Sequence, residues 1–527
     1  MEPPTMKFGS LFNPEVGMEE EVMTGSKSQH LLVVAGVLVS MAATVSLVVM
    51  YRRGDSGADV ETTQRRELTY TEQVVDLLKL TWPLMLGNTL EWYEYGIYGY
   101  TATQISENFF MGSDIATWLG YAVTFIARPF GGLVLGWVAD NIGRTVSVQI
   151  SLFGMLIATV GQGMLPGHYW GRDYETLGFV ILIFFRALQG LSAGGEIGAI
   201  SSYMIETASL KTLGFATMLI SFGGSLAFGL AASVVGVMHD HLTEGEMLVW
   251  GWRVPFLVSA IPGLIALAGR ANIEETGAFL EDAEANGESE RQHFREILSR
   301  WRSLLVGGFA TIGIASMWYV GPIWTVSSVL EESLGPSVSL KIAACSQWMA
   351  LAVTPFVGLL TDVKGIAWVT LMGNATIAIV SLPVWYTLVS YPDNEGYAWI
   401  GITYVYGVAQ ALAGATIYLF SAELFPTHLR TIGLGMSYNL AVSYFGGLGP
   451  VICEVLKGIS PMYGPGCWMS FCGLISVLAV LCGLRWNERG LIKLYHRRQK
   501  PYFGAEYSKD GELVTMEASK DLPAVPF

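Results

Sequence analysis

The 527-residue chain contains few charged residues. Only 14% of its residues are Asp, Glu, Lys or Arg, whereas soluble domains average about 25%. Hydrophobic residues make up 52% of the chain and the mean hydropathy is +0.45, which indicates a membrane protein. The formal net charge is −14. The chain therefore lacks the basic balance that nucleic acids attract, and we expect no nucleic-acid partner.

Cysteine is also scarce, and its spacing predicts no site. All five cysteines fall in the second half of the chain: Cys345, Cys453, Cys467, Cys472 and Cys482. The spacing fits neither a disulfide framework nor a metal-ligand set, so we interpret them as buried apolar thiols. The sequence also contains no Walker-type phosphate loop. We expect no metal, no cofactor, no ATP-driven step and no enzymatic activity.

Long apolar runs, in contrast, are abundant. A helix that crosses a bilayer needs about 20 mostly apolar residues. Segments of this kind lie near residues 31–50, 82–104, 117–138, 145–165, 177–202, 213–238, 251–270, 303–329, 342–361, 367–389, 397–420, 431–454 and 465–485. We predict an all-α integral membrane fold, in which a twelve-helix, two-fold pseudo-symmetric body (6+6) follows one extra N-terminal transmembrane helix.

These segments give the predicted domain order. The order is a disordered acidic N-terminus (1–30), the extra helix (31–50), a cytoplasmic linker (51–76), an N-terminal six-helix half (77–270), a charged cytoplasmic loop (271–300), a C-terminal six-helix half (301–487) and a cytoplasmic tail (488–527).

Basic residues set the predicted orientation. They concentrate at alternate connections, whereas the connections 239–249 and 390–396 contain none. By the positive-inside rule, both ends of the twelve-helix body are cytoplasmic. Segment 31–50 is longer than a signal-peptide core and follows acidic residues. We interpret it as a retained helix with the N-terminus outside, and a removed targeting segment is the alternative.

An internal repeat supports two related halves. The sequence Gly-Trp-Val-Ala-Asp-Asn-Ile-Gly at 136–143 has the form G-x3-D-x2-G, and Gly-Leu-Leu-Thr-Asp-Val-Lys-Gly at 358–365 repeats it. A second pair, 206–214 and 423–433, ends in Lys-Thr-Leu-Gly and Arg-Thr-Ile-Gly. Repeated halves of this kind rock against each other around a midplane site in transporters.

Four charges fall near the centres of predicted spans in the first half: Glu91, Glu94, Arg128 and Arg186. A charge at this depth costs at least about 2.5–3.5 kcal/mol. The four groups must therefore pair, exchange protons or hold a charged ligand. A coupled transporter is the function that this pattern favours.

Several motifs match one known family. They are Glu-Trp-Tyr-Glu (91–94), Arg-Pro-Phe-Gly-Gly (128–132), the 136–144 loop, Arg-Ala-Leu-Gln-Gly (186–190), Gly-Gly-Glu (194–196), Glu-Leu-Phe-Pro-Thr-His-Leu-Arg-Thr-Ile-Gly (423–433) and Gly-Gly-Leu-Gly-Pro (446–450). The chain resembles the major facilitator superfamily, and within it the metabolite–proton symporters, which include permeases for α-ketoglutarate, citrate, shikimate and proline/betaine. The resemblance covers roughly 77–487. The chain departs from it at Glu94, where the family usually has Asp, at Thr145, which replaces a basic residue, and in segment 31–50.

The predicted proton-coupling residues are Glu94, Glu91 and Arg186. Low dielectric surroundings stabilise the neutral form of a carboxyl group, and a nearby cation stabilises the charged form. A moving arginine or an arriving anion can therefore drive proton uptake and release. We predict Glu94 as the carrier and Glu91 as the alternative, while a permanent ion pair is the structural interpretation of either. Arg186 lies in the arginine motif that the resemblance links to proton coupling.

Arg128 is the predicted anchor for a substrate carboxylate, because its planar guanidinium binds a carboxylate with two parallel hydrogen bonds. A fixed ion pair with Glu91 or Glu94 is the alternative. Asn88 and Tyr95 lie on the helical stripe of Glu91 and extend the predicted site.

The second half has no comparable charge, so we expect it to contribute shape and uncharged polar groups. Tyr319 and Gln410 are its predicted substrate contacts. They belong to a wider polar set: Trp318, Tyr319, Trp324, Gln347, Tyr404, Gln410, Tyr418, Tyr438, Asn439 and Tyr444.

A last group is predicted to control gating. Glycines let helices approach closely, and an aspartate accepts hydrogen bonds from helix N-terminal amides. The predicted gating residues are Gly136, Asp140, Gly143, Arg144, Glu196, Asp362, Glu423 and Arg430.

Proton-coupled symport of a small organic acid or zwitterion is the predicted function. An energy-independent facilitator and a non-transporting membrane sensor are the alternatives. The predicted partners are the substrate, protons and membrane lipid, and the predicted state is a monomer. The plasma membrane is the default location, and an organelle membrane is the alternative.

Overall fold

A computed structural model describes residues 70–167, 172–208, 212–270, 290–426 and 429–493. Several predicted segments lie outside the described residues: 1–30, the extra helix 31–50, residues 51–69 of the linker 51–76, residues 271–289 of the loop 271–300 and residues 494–527 of the tail 488–527. Linker residues 70–76 are helical, because the first described helix begins at Tyr70. We label the twelve long helical segments α1 Tyr70–Tyr100, α2 Asp114–Asn141, α3 Arg144–Gly163, α4 Thr176–Thr207, α5 Leu213–His241, α6 Glu244–Arg270, α7 Trp301–Leu334, α8 Pro336–Lys364, α9 Ile366–Ser390, α10 Glu395–Glu423, α11 Arg430–Ile459 and α12 Gly464–Glu488.

Eleven of these segments, α2 to α12, are long and apolar enough to cross a membrane. The remaining segment, α1, has 31 residues. The second half of α1 is less apolar than these eleven segments because it contains Asn88, Glu91 and Glu94. Large apolar side chains are exposed on the outer faces of the helices, for example Phe130 at 63% and Ile379 at 70%. The described chain is therefore an all-helical, multi-pass membrane structure. Cys467 and Cys482 are exposed as well, so the prediction of buried thiols is right only for Cys345, Cys453 and Cys472.

Several helices are interrupted. Residues Val320–Trp324 and Val326–Leu330 of α7, Trp399–Tyr406 of α10 and Val442–Gly447 of α11 are π-helical. Such wider turns concentrate at functional sites. Segment α4 breaks between Ala193 and Glu196. The end of the predicted loop 271–300 is also helical, since Glu290–Ser299 forms a ten-residue helix.

Glycines bring α2 and α4 into close contact. A Cβ atom added at Gly131, Gly190 or Gly194 would lie 1.9–2.1 Å from a backbone oxygen of the facing helix. Only glycine fits at these positions, so the two backbones touch. Arg128 and Arg186 lie on these two helices, and the close packing fixes the backbone positions from which their side chains extend.

The N-terminal helices α1–α6 and the C-terminal helices α7–α12 meet along several pairs. Segment α5 packs along α8, and α2 packs against α11. The buried core lies between them and is rich in aromatic side chains, including Trp92, Tyr95, Phe125 and Tyr319.

Candidate functional site

Glu91 and Arg128 form a fully buried ion pair. Arg128 Nη1 lies 2.7 Å from Glu91 Oε1, and both side chains have 0% exposure. The Tyr95 hydroxyl joins them, because it accepts from Arg128 Nη1 at 2.8 Å and donates to Glu91 Oε1 at 3.3 Å. On its other edge, Arg128 Nε donates to Asn439 Oδ1 of α11 at 3.1 Å. We call Glu91, Tyr95, Arg128 and Asn439 the Arg128 cluster.

Proline shapes the backbone beside this cluster. Pro129 lies inside α2 and has no N–H, so the carbonyl of Phe125, four residues earlier, loses its helical donor. Ser443 of α11 donates its hydroxyl to this carbonyl. The proline next to Arg128 therefore leaves a backbone carbonyl of α2 free to accept a hydrogen bond from the C-terminal helix α11.

Two charged groups of the cluster keep unused hydrogen-bonding atoms. Among the described residues, Arg128 Nη2 and Glu91 Oε2 have no hydrogen-bond partner, and the buried hydroxyls of Tyr121 and Tyr319 have none either. A buried polar group without a partner costs about 1–3 kcal/mol, and more when it is charged. These free donor and acceptor atoms can bind a ligand or an ordered water.

Aromatic rings surround the Arg128 cluster. The Tyr319 ring centre lies 4.7 Å from that of Phe125, 6.1 Å from that of Trp92 and 6.4 Å from that of Tyr95. Trp92 also contacts Trp318 at 4.9 Å. The predicted site residue Tyr319 thus lies beside the predicted anchor Arg128. The faces of these rings suit a cationic group or an apolar ligand surface.

Among the described residues, no carboxylate oxygen lies within 4.0 Å of the Arg186 guanidinium. Its Nη1 donates to Gln189 Oε1 at 2.7 Å, and its Nη2 donates to the Tyr121 carbonyl at 3.0 Å. Its guanidinium carbon lies 4.3 Å from the Tyr98 ring centre and 5.3 Å from that of Tyr121. These partners solvate the cation while leaving its positive charge unneutralised.

Glu94 receives its hydrogen bond from an amide. Gln189 Nε2 donates to Glu94 Oε2, so Gln189 bridges Glu94 and Arg186. In the described part of the chain, no lysine or arginine nitrogen lies within 4.0 Å of the Glu94 carboxyl group. Glu94 is 3% exposed. A carboxyl group that lacks a cationic partner in such surroundings is stabilised by taking up a proton.

Two other predicted substrate contacts already have protein partners. Asn88 donates to the Ile220 carbonyl at 3.0 Å and accepts from Trp92 Nε1 at 3.1 Å. Gln410 forms a reciprocal amide pair with Gln347 at 2.7 and 3.2 Å. Asn88 therefore ties α1 to α5, and Gln410 ties α10 to α8. Among the described contacts, neither side chain hydrogen-bonds the Arg128 cluster.

Glu196 belongs to a separate ion pair. Arg270 Nη2 lies 2.5 Å from Glu196 Oε1, with both side chains at 0% exposure. Ser151 donates to Glu196 Oε2 at 2.6 Å, and Arg270 Nη1 donates to the Val148 carbonyl at 2.6 Å. The pair joins α3, α4 and the end of α6. Each group has several partners, which is typical of a structural pair rather than a site of ligand exchange.

Two of the predicted gating residues, Asp362 and Arg430, lie at contacts between N-terminal and C-terminal helices. Asp362 accepts from the backbone N–H groups of Gly214 and Phe215, at 2.8 and 3.2 Å. Arg430 lies 3.2 Å from Glu206. An aspartate at the end of α8 thus binds the N-terminus of α5, and the start of α11 binds the end of α4.

The two repeated loops share a backbone feature. Gly143 and Gly365 have φ values of 148° and 90°, and each precedes the next helix. Glycine adopts this conformation without strain. Gly136 faces Ile432 of α11, and Glu423 is buried at the end of α10. The side chains of Asp140 and Arg144 lie outside the described residues.

Contacts between the N-terminal and C-terminal helices also close the end of the helix bundle opposite to Asp362 and Arg430. Ser327 donates to the Gly99 carbonyl at 2.9 Å, and Trp118 Nε1 donates to Ser328 Oγ at 3.1 Å. Lys341 lies 3.1 Å from Asp240. The Arg128 cluster is therefore enclosed between two closed ends.

The comparisons with known proteins agree with this architecture. Residues 80–300 match the family model "Sugar (and other) transporter". The chain is 30% identical over 423 residues to a glycine betaine/proline/ectoine/pipecolic acid transporter of Dickeya dadantii, which covers 76% of this chain and 82% of that protein. The chain belongs to the metabolite–proton symporter family of the major facilitator superfamily.

Other members of this superfamily are similar over most of their length. The citrate–proton symporter of Salmonella typhi is 28% identical over 436 residues, which are 80% of this chain and 94% of that protein. A solved proton:xylose symporter bound to 6-bromo-6-deoxy-D-glucose has a TM-score of 0.64 at 17% identity, and covers 81% of this chain and 98% of that chain. This structural likeness concerns the fold alone.

Family membership confirms the predicted multi-pass membrane transporter, which is not an enzyme. Within this major facilitator protein, three residues of the buried polar contacts had no role predicted from the sequence: Gln189 and Asn439 at the candidate site, and Arg270 in the structural pair. Gln189 lies in the 186–190 motif and Asn439 in the polar set of the second half. Arg270 ends a predicted span, where a basic residue is expected at the membrane surface.

Proposed function

We propose that this protein is a proton-coupled symporter that carries a small molecule with one carboxylate and one cationic nitrogen by alternating access. In this proposal α1 also crosses the membrane, so that it and the eleven segments α2 to α12 make twelve spans. The helices α1–α6 and α7–α12 form two pseudo-symmetric halves. The paired packing of α5 with α8 and of α2 with α11 supports the two halves, as do the matching glycines Gly143 and Gly365.

One observation carries the proposal: the unused atoms of the buried pair, Arg128 Nη2 and Glu91 Oε2, lie in a cluster lined by aromatic rings. The substrate carboxylate binds Arg128 through Nη2. The cationic nitrogen of the substrate lies against the faces of Tyr319 and Trp92 and near the Glu91 carboxylate. A zwitterion matches each of these groups.

The proton binds at Glu94, separately from the substrate's own charges. A zwitterion brings no net charge, so its carboxylate at Arg128 and its cationic nitrogen near Glu91 balance each other. Burying an uncompensated charge is costly. A proton on Glu94 removes such a charge, since Glu94 has no cation within 4.0 Å among the described residues. Gln189 links that proton to Arg186.

Alternating access follows from the two closed ends. The predicted cytoplasmic end is held by Asp362 and by the Glu206–Arg430 pair. The predicted outer end is held by Ser327 on Gly99 and by the Asp240–Lys341 pair. Rocking the halves breaks one set of contacts while the other persists, so the site opens to one side at a time.

The names of the relatives support this substrate class. They include transporters of proline and betaine from Escherichia coli strain K12 and of ectoine and proline from Corynebacterium glutamicum. These compounds combine a carboxylate with a cationic nitrogen. The Salmonella typhi relative is named for citrate, so a carboxylate without a nitrogen belongs in the test.

The test is uptake of labelled glycine betaine, proline, ectoine and citrate into liposomes that contain the purified protein. We expect accumulation of one zwitterion above its external concentration when the outside is acidic, and loss of accumulation when a protonophore removes the gradient. Uptake that equilibrates without responding to the gradient indicates a facilitator. Binding without flux indicates a sensor.

A further inference from the structure

A single amide connects the site to the packing of the two helix sets. Asn439 of α11 has 0% exposure. Its Oδ1 accepts from Arg128 Nε at 3.1 Å, and its Nδ2 donates to the Gly194 carbonyl at 2.6 Å. Gly194 lies at the break in α4. One side chain of a C-terminal helix thus binds both the candidate substrate anchor and a discontinuity of an N-terminal helix.

The amide has only one favourable orientation. A guanidinium nitrogen can only donate and a carbonyl oxygen can only accept. Reversing the amide would place two donors together at Arg128 and two acceptors together at Gly194. The α2 backbone also approaches closely, because a Cβ atom added at Gly132 would lie 2.8 Å from Asn439 Nδ2. The position of Asn439 is therefore fixed from both ends.

Asn439 is one of three α11 residues, with Thr431 and Ser443, that hydrogen-bond N-terminal helices, and we call these three residues the α11 seam. Thr431 bonds Ser202 at 3.1 Å, and Ser443 donates to the Phe125 carbonyl. Among the described residues, Asn439 is the C-terminal partner that hydrogen-bonds Arg128. A rotation of the Arg128 guanidinium consequently disturbs the α11 seam by breaking or bending its hydrogen bond to Asn439.

We propose that Asn439 is the positioning residue that couples occupancy of Arg128 to the separation of α11 from α2 and α4; this inference rests on the proposed function. A carboxylate that binds Nη2 and then displaces Glu91 from Nη1 turns the rigid guanidinium plane away from Glu91. Nε lies in the same plane, so its bond to Asn439 Oδ1 breaks. Asn439 then loses one of its two anchors, and the α11 seam opens.

Two variants and one matched control test this coupling. Asn439→Ala removes both bonds and leaves Arg128 and Glu91 paired. Asn439→Asp keeps the shape of the side chain but places a carboxylate beside Arg128 Nε and the Gly194 carbonyl. Asn374→Ala is the control, because Asn374 is equally buried in α9 and its Nδ2 donates within the C-terminal helices, to the Thr370 carbonyl at 3.0 Å and to the Ala310 carbonyl of α7 at 3.5 Å.

Each variant is measured in three ways: substrate binding by quenching of intrinsic tryptophan fluorescence, substrate counterflow, and gradient-driven accumulation. For Asn439→Ala we expect binding to stay within about threefold of the original protein, counterflow to persist and the accumulation ratio to fall by about tenfold or more. For Asn439→Asp we expect binding to weaken by about tenfold, because the new carboxylate competes for Arg128. Asn374→Ala should keep its accumulation ratio.

The outcomes separate this inference from the proposed function. Full accumulation by Asn439→Ala would show that Asn439 has no coupling role. The same conclusion would follow if Asn439→Ala and Asn374→Ala lost binding, counterflow and accumulation to the same extent. If Asn439→Ala does not fold, unweakened binding by Asn439→Asp is the result that overturns the inference. If the unmodified protein accumulates no compound of the panel, the proposed function fails first, and this inference fails with it.

Discussion

Arg128 donates to Glu91 through Nη1 alone, at 2.7 Å, while Arg128 Nη2 and Glu91 Oε2 have no partner among the described residues. A fixed structural pair normally uses these atoms, as Glu196 and Arg270 do with Ser151 and the Val148 carbonyl. The pair at Arg128 is therefore half used, and its remaining atoms are suited to an exchange of partners during transport.

Arg128→Lys tests the carboxylate anchor. Lysine keeps the positive charge for Glu91 but loses the planar fork that binds a carboxylate with two hydrogen bonds. We expect a loss of about 2–5 kcal/mol of substrate binding free energy, which lowers the affinity by at least about 25-fold. Binding is measured by titration in detergent, and the melting temperature monitors folding. Unchanged affinity in a folded variant would exclude Arg128 as the anchor.

Glu94→Gln tests the proton carrier. Glutamine has nearly the same shape and still offers an oxygen to Gln189 Nε2, but it cannot exchange a proton. We expect substrate counterflow to persist, because exchange needs no net proton movement, and gradient-driven accumulation to be lost. Glu91→Gln is the comparison, since it leaves the buried Arg128 without its ion-pair partner and should destabilise the protein by about 3–5 kcal/mol. Accumulation by Glu94→Gln would move the carrier role to Glu91.

The Glu196–Arg270 pair should act on stability rather than on specificity. Removing either partner leaves a buried charge uncompensated, and each single variant, Glu196→Gln or Arg270→Met, should cost about 3–5 kcal/mol. The double variant should cost less than the sum of the two, because no buried charge remains. Unfolding in detergent measures all three. Strictly additive costs would show that the two side chains do not interact.

Asp362→Ala should loosen the predicted cytoplasmic end. The change removes both hydrogen bonds to the N-terminus of α5. We expect faster thiol labelling of a cysteine placed at Met218, which packs against Gly358, in a background without the five native cysteines. Ser337→Ala, beside Asp240 at the other end, is the matched control and should leave this rate unchanged. Equal rates in both variants would remove Asp362 from the gate.

Much of the architecture was predictable because membrane spans depend on local composition. Each predicted span from 82–104 to 465–485 overlaps a helix, and the four mid-membrane charges proved to be buried. The pairing of these charges was not predictable in detail. Helical spacing places Glu91 and Tyr95 on one face, but it gives no information about which groups of other helices lie opposite.

The residues without an assigned role illustrate this limit. Gln189 and Asn439 are uncharged, so hydropathy does not distinguish them from amides that only pack. Arg270 lies at the end of a predicted span, yet α1 and α3 cover it and supply its carbonyl partners. Tyr404 and Tyr444, which belong to the predicted polar set, are instead 49% and 51% exposed on the outer surface. Only the packing of the helices decides these cases.

The most direct test of proton-coupled symport measures proton entry itself. Liposomes containing the purified protein and an internal pH dye are exposed to glycine betaine, proline, ectoine or citrate without an imposed gradient. We predict that one zwitterion acidifies the interior and that Glu94→Gln abolishes the acidification while counterflow of the same compound persists. Saturable uptake of that compound with no change in internal pH would contradict proton-coupled symport.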